Sequence, residues 1–519
     1  MHKAALFSLS EKSGAVELAR ALEALGTVIY ATGGTRAYLE QASVAARDVE
    51  DLTGFPPLFD GRVKTLHPKV FGGILADRRN EAHAAQAEKY HLPFIDTVVV
   101  NLYPFEATIA RTGTTLEEAI EQIDIGGVSL LRAAAKNFKD VTVLSDPAQY
   151  GEFLRALPEG LDVTARRRLA VAAYERTAEY DAAIGHYLAE EGEFLPSELP
   201  GSLLLTLPLA QRLRYGENPW SRAAFYLAQG EQLPVQLWGK ALSYNNLLDL
   251  DAVLRLLARA PLGAQIGSRA QEFIRAAIVK HTVPCGVAQR STVAKAVRDA
   301  LEADPVSAFG GVVAVDGKLD ADAAAALGEY FLEIVAAPEF EAGALAILEK
   351  KKNLRVMRFG SSAPERLRGE LRVRSALGGI LAEEDDPGGP AEQWRVVSKK
   401  QPQPQEWHDL AFAWDVVRHV KSNGVVIAKE GVTRGICAGQ TNRVSAVRIA
   451  GVRAAATAHG AVLASDGFFP FPDGLEEAVR AGCTAIIAPE GSVRDAEVIG
   501  AADALGVALV FSTHRYFLH

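Results

Sequence analysis

Lys280 and His281 stand together in the stretch Ile278-Val279-Lys280-His281-Thr282-Val283-Pro284-Cys285-Gly286-Val287-Ala288. A fixed cation stabilises a developing oxyanion, and a neighbouring imidazole accepts a proton near neutral pH. The same pair on a solvated surface does neither, and this stretch alone leaves both readings open. A second set lies in the first third of the chain. Gly61-Arg62-Val63-Lys64-Thr65-Leu66-His67-Pro68 offers cations and a hydroxyl, Asn101 and Tyr103 follow an apolar run, and Asp124 precedes Ile125-Gly126-Gly127. Such an inventory suits an anionic substrate.

The flanking segments must position these groups. Ala276 to Val279 is apolar and β-branched enough for a buried strand, and Pro284 with Gly286 predicts a turn after it. Ser291-Thr292 then caps a helix from Val293 to Leu301. At the start of the chain, Ala4–Leu9 reads as a strand, Ser10-Glu11-Lys12-Ser13-Gly14 as a loop and Ala15–Leu25 as a helix. Val28–Ala31 repeats the pattern, with Thr32-Gly33-Gly34-Thr35 as the loop and a helix from Arg36. Small and hydroxyl residues between a strand and a helix expose backbone N–H groups at the positive end of the helix dipole, where a phosphate binds. A helix from Val128 to Ala135 delivers Lys136, and a long helical pattern covers residues 166–190.

With 519 residues the chain needs more than one core, and 49% hydrophobic with 23% charged residues is ordinary for a globular protein. A net charge of -9 argues against nucleic acid as the main partner. Cys285, Cys437 and Cys483 show no paired spacing, which fits a reducing cytoplasm, and no apolar run reaches transmembrane length. The turn-rich residues 190–204 predict a boundary between domains at 1–195 and 205–519. The run His419-Val420-Lys421 to Ala428 echoes the Lys280 stretch and suggests that the second domain holds two related α/β halves, about 205–365 and 366–519.

The two glycine loops, Arg62 to Pro68, Asn101-Leu102-Tyr103-Pro104-Phe105 and Asp124-Ile125-Gly126-Gly127 resemble the cyclohydrolase domain of the bifunctional AICAR formyltransferase/IMP cyclohydrolase family. The resemblance implies a methylglyoxal-synthase-like parallel sheet flanked by helices. It also implies that Ser10, Lys12, Thr32, Gly33, Gly34, Thr35, Arg62, Thr65, Asn101, Ile125 and Gly126 hold the nucleotide. Lys64, Tyr103, Asp124 and Lys136 would then be catalytic around the closing ring.

The resemblance continues through Arg214-Tyr215-Gly216-Glu217-Asn218-Pro219, Leu242-Ser243-Tyr244-Asn245-Asn246-Leu247, Asp304 to Val313, Gly435 to Arg443, Ala464 to Asp473, Pro489 to Asp495 and the docked, aromatic end Phe511 to His519. It implies two cytidine-deaminase-like halves, an intertwined homodimer and 10-formyltetrahydrofolate as cosubstrate, with no metal in the chemistry. Lys280 would stabilise the oxyanion and His281 accept the proton. Arg214, Tyr215, Asn246, Gly310, Glu333, Asn423, Arg443, Phe468 and Arg515 would bind the aminoimidazole ribonucleotide, and Val444, Asp473, Ser492 and Val493 would face the folate. The chain departs from the family at Trp220, Tyr516 and Val283. Val283 replaces an Asn common in bacterial members, and with it goes a hydrogen bond in the loop that positions His281.

Two other classes compete. A zinc nucleotide deaminase needs Pro-Cys-x-x-Cys, and Pro284-Cys285 has no second Cys at that spacing. A non-catalytic nucleotide-binding module would leave two sets of titratable groups beside anion loops without a use.

Overall fold

The computed structural model describes residues 3–59, 61–191, 199, 202–228, 231–259, 273–367, 371–386 and 393–519. It divides into two compact units, Met1–Thr206 and Leu207–His519. Most of the predicted boundary stretch, residues 192–198 and 200–201, lies outside the described residues.

In the first unit, β1 (Ala4–Leu9), β2 (Val28–Ala31), β3 (Ala46–Asp48), β4 (Ile95–Asn101) and β5 (Thr142–Leu144) form a parallel sheet in the order β3-β2-β1-β4-β5. Both faces of such a sheet are covered, so its strands read as apolar runs without alternation. Leu6 and Val98 pack on the side of the Gly126–Lys136 helix, whereas Phe7 and Val99 pack on the side of the Ala15–Ala24 helix. The chain moves outward from β1 through β2 to β3 and then returns to β1's other side as β4. Loops after β1 and β4 therefore diverge and leave a crevice at their carboxyl ends, the usual binding position in such sheets.

The second unit is built on a twelve-stranded sheet. A small hairpin, β6 (Leu209–Leu213) with β7 (Ala223–Tyr226), precedes its edge strand β8 (Val235–Trp238). Then come β9 (Ile274–Lys280), β10 (Val283–Arg290), β11 (Gly311–Val315), β12 (Leu332–Ala337) and β13 (Arg355–Arg358). A separate hairpin, β14 (Leu371–Ala376) with β15 (Gly379–Glu384), stands between these and a second series. That series is β16 (Arg395–Val396), β17 (Val425–Lys429), β18 (Val432–Cys437), β19 (Val462–Ser465), β20 (Ala485–Pro489) and β21 (Ala508–Ser512).

The sheet order β16-β21-β20-β19-β17-β18-β10-β9-β11-β12-β13-β8 reads the same from either end. Each half is a hairpin, a strand antiparallel to it, two more parallel strands and an antiparallel edge, and the halves join antiparallel at β10 and β18. Helices Tyr244–Leu257 and Pro404–Val417 cover one face, and Val293–Ala303 and Arg443–Ala454 the other.

Two local expectations change. Pro284 and Gly286 lie within β10 rather than in a turn, and a register shift between them absorbs the proline. The glycine answers a close approach from the next helix: a Cβ on Gly286 would sit 2.0 Å from the Ala300 carbonyl oxygen. The internal echo is also displaced. The segment matching β9 and β10 is β17 and β18, so Lys429, not Lys421, is the counterpart of Lys280.

Candidate active site

At the crevice of the first unit, Asn101 ends β4 and its Oδ1 accepts from the Ser10 and Glu11 N–H groups at 2.6 and 2.9 Å. Its Nδ2 donates to the Glu11 carbonyl at 2.6 Å, so Asn101 shapes the loop that carries Lys12. Thr35 is buried, and its hydroxyl pairs with the Leu9 backbone at 3.0 and 3.2 Å. Thr32 is the N-cap residue, and the helix begins at Gly33 rather than Arg36. Gly33 and Gly34 form its first turn, and a Cβ on either would meet open space. Their amides are thus approachable at a helix N-terminus.

Asp124 faces the same edge. The Gly127 N–H donates to its Oδ1 at 2.6 Å, and the Tyr180 hydroxyl accepts from the Asp124 N–H at 2.8 Å. Burial raises its carboxyl above the ordinary value, opposed by the Gly127, Tyr103 and Gly126 amides and by the Lys64 cation. A Cβ on Gly126 would lie 2.8 Å from Thr65 Oγ1, and one on Gly127 2.3 Å from Asp124 Oδ2, so both glycines are needed for this approach. Ile125 is exposed at the N-cap, and Arg62 is exposed and paired with Glu121.

Lys136 does not join this group within the chain. It ends the helix that Gly126 begins, and ten residues at about 1.5 Å rise put it about 15 Å away, beyond a lysine's reach.

In the second unit, a cavity of about 270 Å³ is lined by Arg214, Tyr215, Lys240, Ser243, Asn246, Phe331, Glu333, Asn353 and Arg355. Arg355 is buried in β13 and donates to Glu333 Oε2 at 2.6 Å, which aims that carboxylate. The Arg214 guanidinium lies over the Tyr215 ring, 5.6 Å from its centre. Lys280 ends β9 with Nζ on the Phe309 carbonyl at 2.7 Å, and a Cβ on Gly310 would lie 3.8 Å from Phe331 and 4.0 Å from that Nζ. Lysine, glycine and cavity wall are therefore contiguous. His281 and Thr282 make the two-residue turn from β9 to β10, both at positive φ (54° and 63°). The Thr282 N–H donates to Asp249 Oδ1 at 2.6 Å.

The remaining expected ligands lie along the same edge of the sheet but farther on. Asn423 precedes β17 and donates to the Gln440 carbonyl at 2.7 Å. Arg443 is buried, paired with Asp466 and bonded to Ser465 Oγ at 3.1 Å. Phe468 follows β19, Arg515 lies over the Phe517 ring at 4.7 Å, and Val444 sits in the first turn after Arg443. Asp473 opens a helix, while Ser492 and the exposed Val493 follow β20. With strands about 4.8 Å apart, β9 to β19 is about 19 Å and β12 to β20 about 34 Å. One chain thus does not bring these residues to the cavity that Arg214, Tyr215, Asn246 and Glu333 line.

The sequence alone does not single out Asp249, Arg355, Lys240, Asn353 or Phe331. Arg355 had a signal, a cation inside the apolar run Leu354 to Met357.

The AICARFT/IMPCHase bienzyme family matches residues 134–453, and the MGS-like domain matches residues 14–129. The chain belongs to the AICARFT/IMPCHase bienzyme family. Its relatives include a bifunctional purine biosynthesis protein PurH from Desulfitobacterium hafniense (strain DSM 10664 / DCB-2), 48% identical over the whole of both chains. Another, from Prochlorococcus marinus (strain MIT 9313), is 47% identical over 99% of each. A solved structure titled "Crystal structure of ForH" is 37% identical with a TM-score of 0.33, covering 36% of this chain and 95% of that one. A bienzyme of this family is a formyltransferase and a cyclohydrolase of purine biosynthesis, with 10-formyltetrahydrofolate as cosubstrate.

The zinc alternative finds no support in the thiols. Cys285, Cys437 and Cys483 are free, and burial pushes the Cys285 thiol up to about 12. Among the described residues no helix is long and apolar enough to cross a membrane.

Proposed function

We propose that the two reactions are divided between the two units, corresponding to the expected domains 1–195 and 205–519. The observation that carries this is that each unit has its own anion-binding edge with its own titratable groups, Asp124 with Lys64 in one and His281 with Lys280 in the other. In the second unit, Arg214, Tyr215, Asn246 and Glu333 hold the aminoimidazole ribonucleotide. His281 takes the amine proton as the C–N bond forms, and Lys280 meets the charge that develops on the formyl oxygen. In the first unit, Lys12 and the amides at Gly33 and Gly34 bind the phosphate. Asp124, Lys64 and Tyr103 surround the closing ring and move its protons. Holding one rotamer of the formylated substrate supplies much of that acceleration, because the attack is intramolecular.

A homodimer completes both sites in this reading. The distances along the edge leave Asn423, Arg443, Phe468, Arg515 and the folate-facing Val444, Asp473, Ser492 and Val493 to be supplied by a second copy. Lys136 likewise reaches a closing ring only from a second copy. The three free cysteines favour the reducing cytoplasm.

The test is conversion of AICAR and 10-formyltetrahydrofolate to IMP by the full-length protein. Asp124→Asn should accumulate formylated AICAR, whereas Lys280→Ala should form neither product. Normal IMP formation by Asp124→Asn would refute the division. Mixed dimers of Lys280→Ala with Arg443→Ala chains should recover activity, and a verified heterodimer without recovery would refute the shared site.

A further inference from the structure

The turn that presents His281 is made of residues poorly suited to it. A two-residue hairpin with positive φ at both positions favours Asn-Gly or Gly-Gly, since a Cβ, and above all a branched one, crowds the backbone there. His281 and Thr282 nevertheless hold φ values of 54° and 63°. Val283 gives no side-chain hydrogen bond to the turn, and it closes the hairpin opposite Lys280 through the backbone ladder. The restraint comes from below. Asp249 stands one turn after Asn246 on the Tyr244–Leu257 helix, so the two face the same way. Its Oδ1 accepts the Thr282 N–H at 2.6 Å, and the His281 amide and imidazole also act on its charge.

The second half of the same unit supplies an internal control. There the turn is Glu430-Gly431, at φ 53° and 66°, and Asp409 accepts both turn amides at 2.9 and 2.8 Å. Glycine makes that turn's second position unstrained. The first half has the same carboxylate device beneath a turn without glycine.

We propose that Asp249 is a positioning residue for formyl transfer: its carboxylate holds the His281-Thr282 turn and so aims the imidazole at the substrate bound by Asn246 on the same helix. The proposal rests on the assignment of His281 as proton acceptor. Loss of the carboxylate lets the turn relax, and a displacement of about 1 Å costs on the order of 10²-fold in rate.

The experiment measures kcat and KM for formyl transfer, cyclisation rate and thermal midpoint in full-length variants. Asp249→Ala should lower formyl-transfer kcat by about 10- to 100-fold with KM for AICAR nearly unchanged and cyclisation intact. Asp249→Asn keeps one acceptor oxygen and should recover most of that rate. Thr282→Gly placed in the Asp249→Ala chain should recover at least part of it, because the turn then no longer needs the restraint. His281→Ala, run in parallel, separates the two claims: if it keeps its rate, the assignment of His281 fails. If His281→Ala loses rate and Asp249→Ala does not, the positioning role alone fails. A loss in Asp249→Ala that neither Asn nor Thr282→Gly relieves would also overturn it. Should the alanine variant not fold, Asp249→Asn decides, since a kcat as low as that of His281→Ala would mean the charge, not the held turn, matters.

Discussion

Lys280 ends β9 with its Nζ on the Phe309 carbonyl at 2.7 Å, and Lys429 ends β17 with its Nζ on the His459 carbonyl at 2.8 Å. Gly310 and Gly460 follow those carbonyls at φ 79° and 69°, and their amides donate to Phe331 and Gly482 at 2.7 and 2.9 Å. Gly286 and Gly435 admit the following helix equally closely. The two halves diverge around these shared parts. The first turn carries an imidazole, and Phe331, which accepts the Gly310 amide, lines a cavity. The second turn carries Glu430, a Cβ on Gly482 would lie 2.8 Å from His459 Nδ1, and Thr484 is bonded to Glu406. The duplicated frame supplies a lysine, a held turn and a glycine twice. In the proposed reaction the first half supplies the imidazole, and the cavity that Phe331 lines gives room for a substrate.

The sharpest way to break this comparison is to remove the imidazole. His281→Ala should lower formyl-transfer kcat by about 10²–10⁴-fold, the range for a lost general base. Glu430→Ala should stay within about twofold, as a surface change does. Steady-state assays of both variants decide, and a loss in the second comparable to the first would mean both turns serve the reaction. Next comes the lysine. Lys280→Ala should cost about 10²–10³-fold, like a lost oxyanion donor. Lys429→Ala should leave kcat unchanged, and equal losses would reduce Lys280 to a structural part of the frame.

Where the halves are alike, they should respond alike. Gly286→Ala and Gly435→Ala place a Cβ 2.0 and 2.1 Å from the Ala300 and Ala450 carbonyl oxygens. Each should destabilise by about 1–3 kcal/mol, as overpacking does, read from denaturant unfolding. A large difference between them would show that the helices are not held equivalently.

What the sequence made legible was local. The strand-loop-helix order around Ser10 to Gly14 and Thr32 to Thr35 could be read because caps and glycines act within a few residues. The partners of Asn101, Ser10 and Glu11, lie about ninety positions earlier, and nothing in the β4 segment announces them. Pro284 and Gly286 have a local preference for a turn, whereas a neighbouring helix and a bulge explain them. His281-Thr282 carries no turn signature, since a distant carboxylate does the work of glycine. Strand order was equally hidden. It sets β19, whose last residue Ser465 bonds Arg443, about 19 Å from β9, and β20, which Ser492 follows, about 34 Å from β12, and so calls for the second copy that the resemblance implies.

The smallest expected effect concerns the carboxylates beneath the two turns. Burial raises the Asp409 carboxyl above its ordinary value even though the Glu430 and Gly431 amides favour the charged form. A carboxyl whose folded pKa exceeds the unfolded value of about 3.9 contributes stability that is complete below the unfolded pKa. That contribution is lost as pH rises through the folded pKa. Asp409→Asn keeps an acceptor oxygen for the turn and cannot ionise. The difference in thermal midpoint between wild type and variant should therefore shift toward wild type as pH falls from 7 to 4. Asp249 is raised by burial too, so Asp249→Asn should show the same sign. Neither Asn variant should lose much formyl-transfer rate, since each keeps an acceptor oxygen for its turn; only the alanine variants should part in activity, because Gly431 keeps its own turn while Thr282 leans on Asp249. A midpoint difference that moves the other way would show that the amides dominate burial. The turns would then be held by ionised carboxylates at every pH where the protein works.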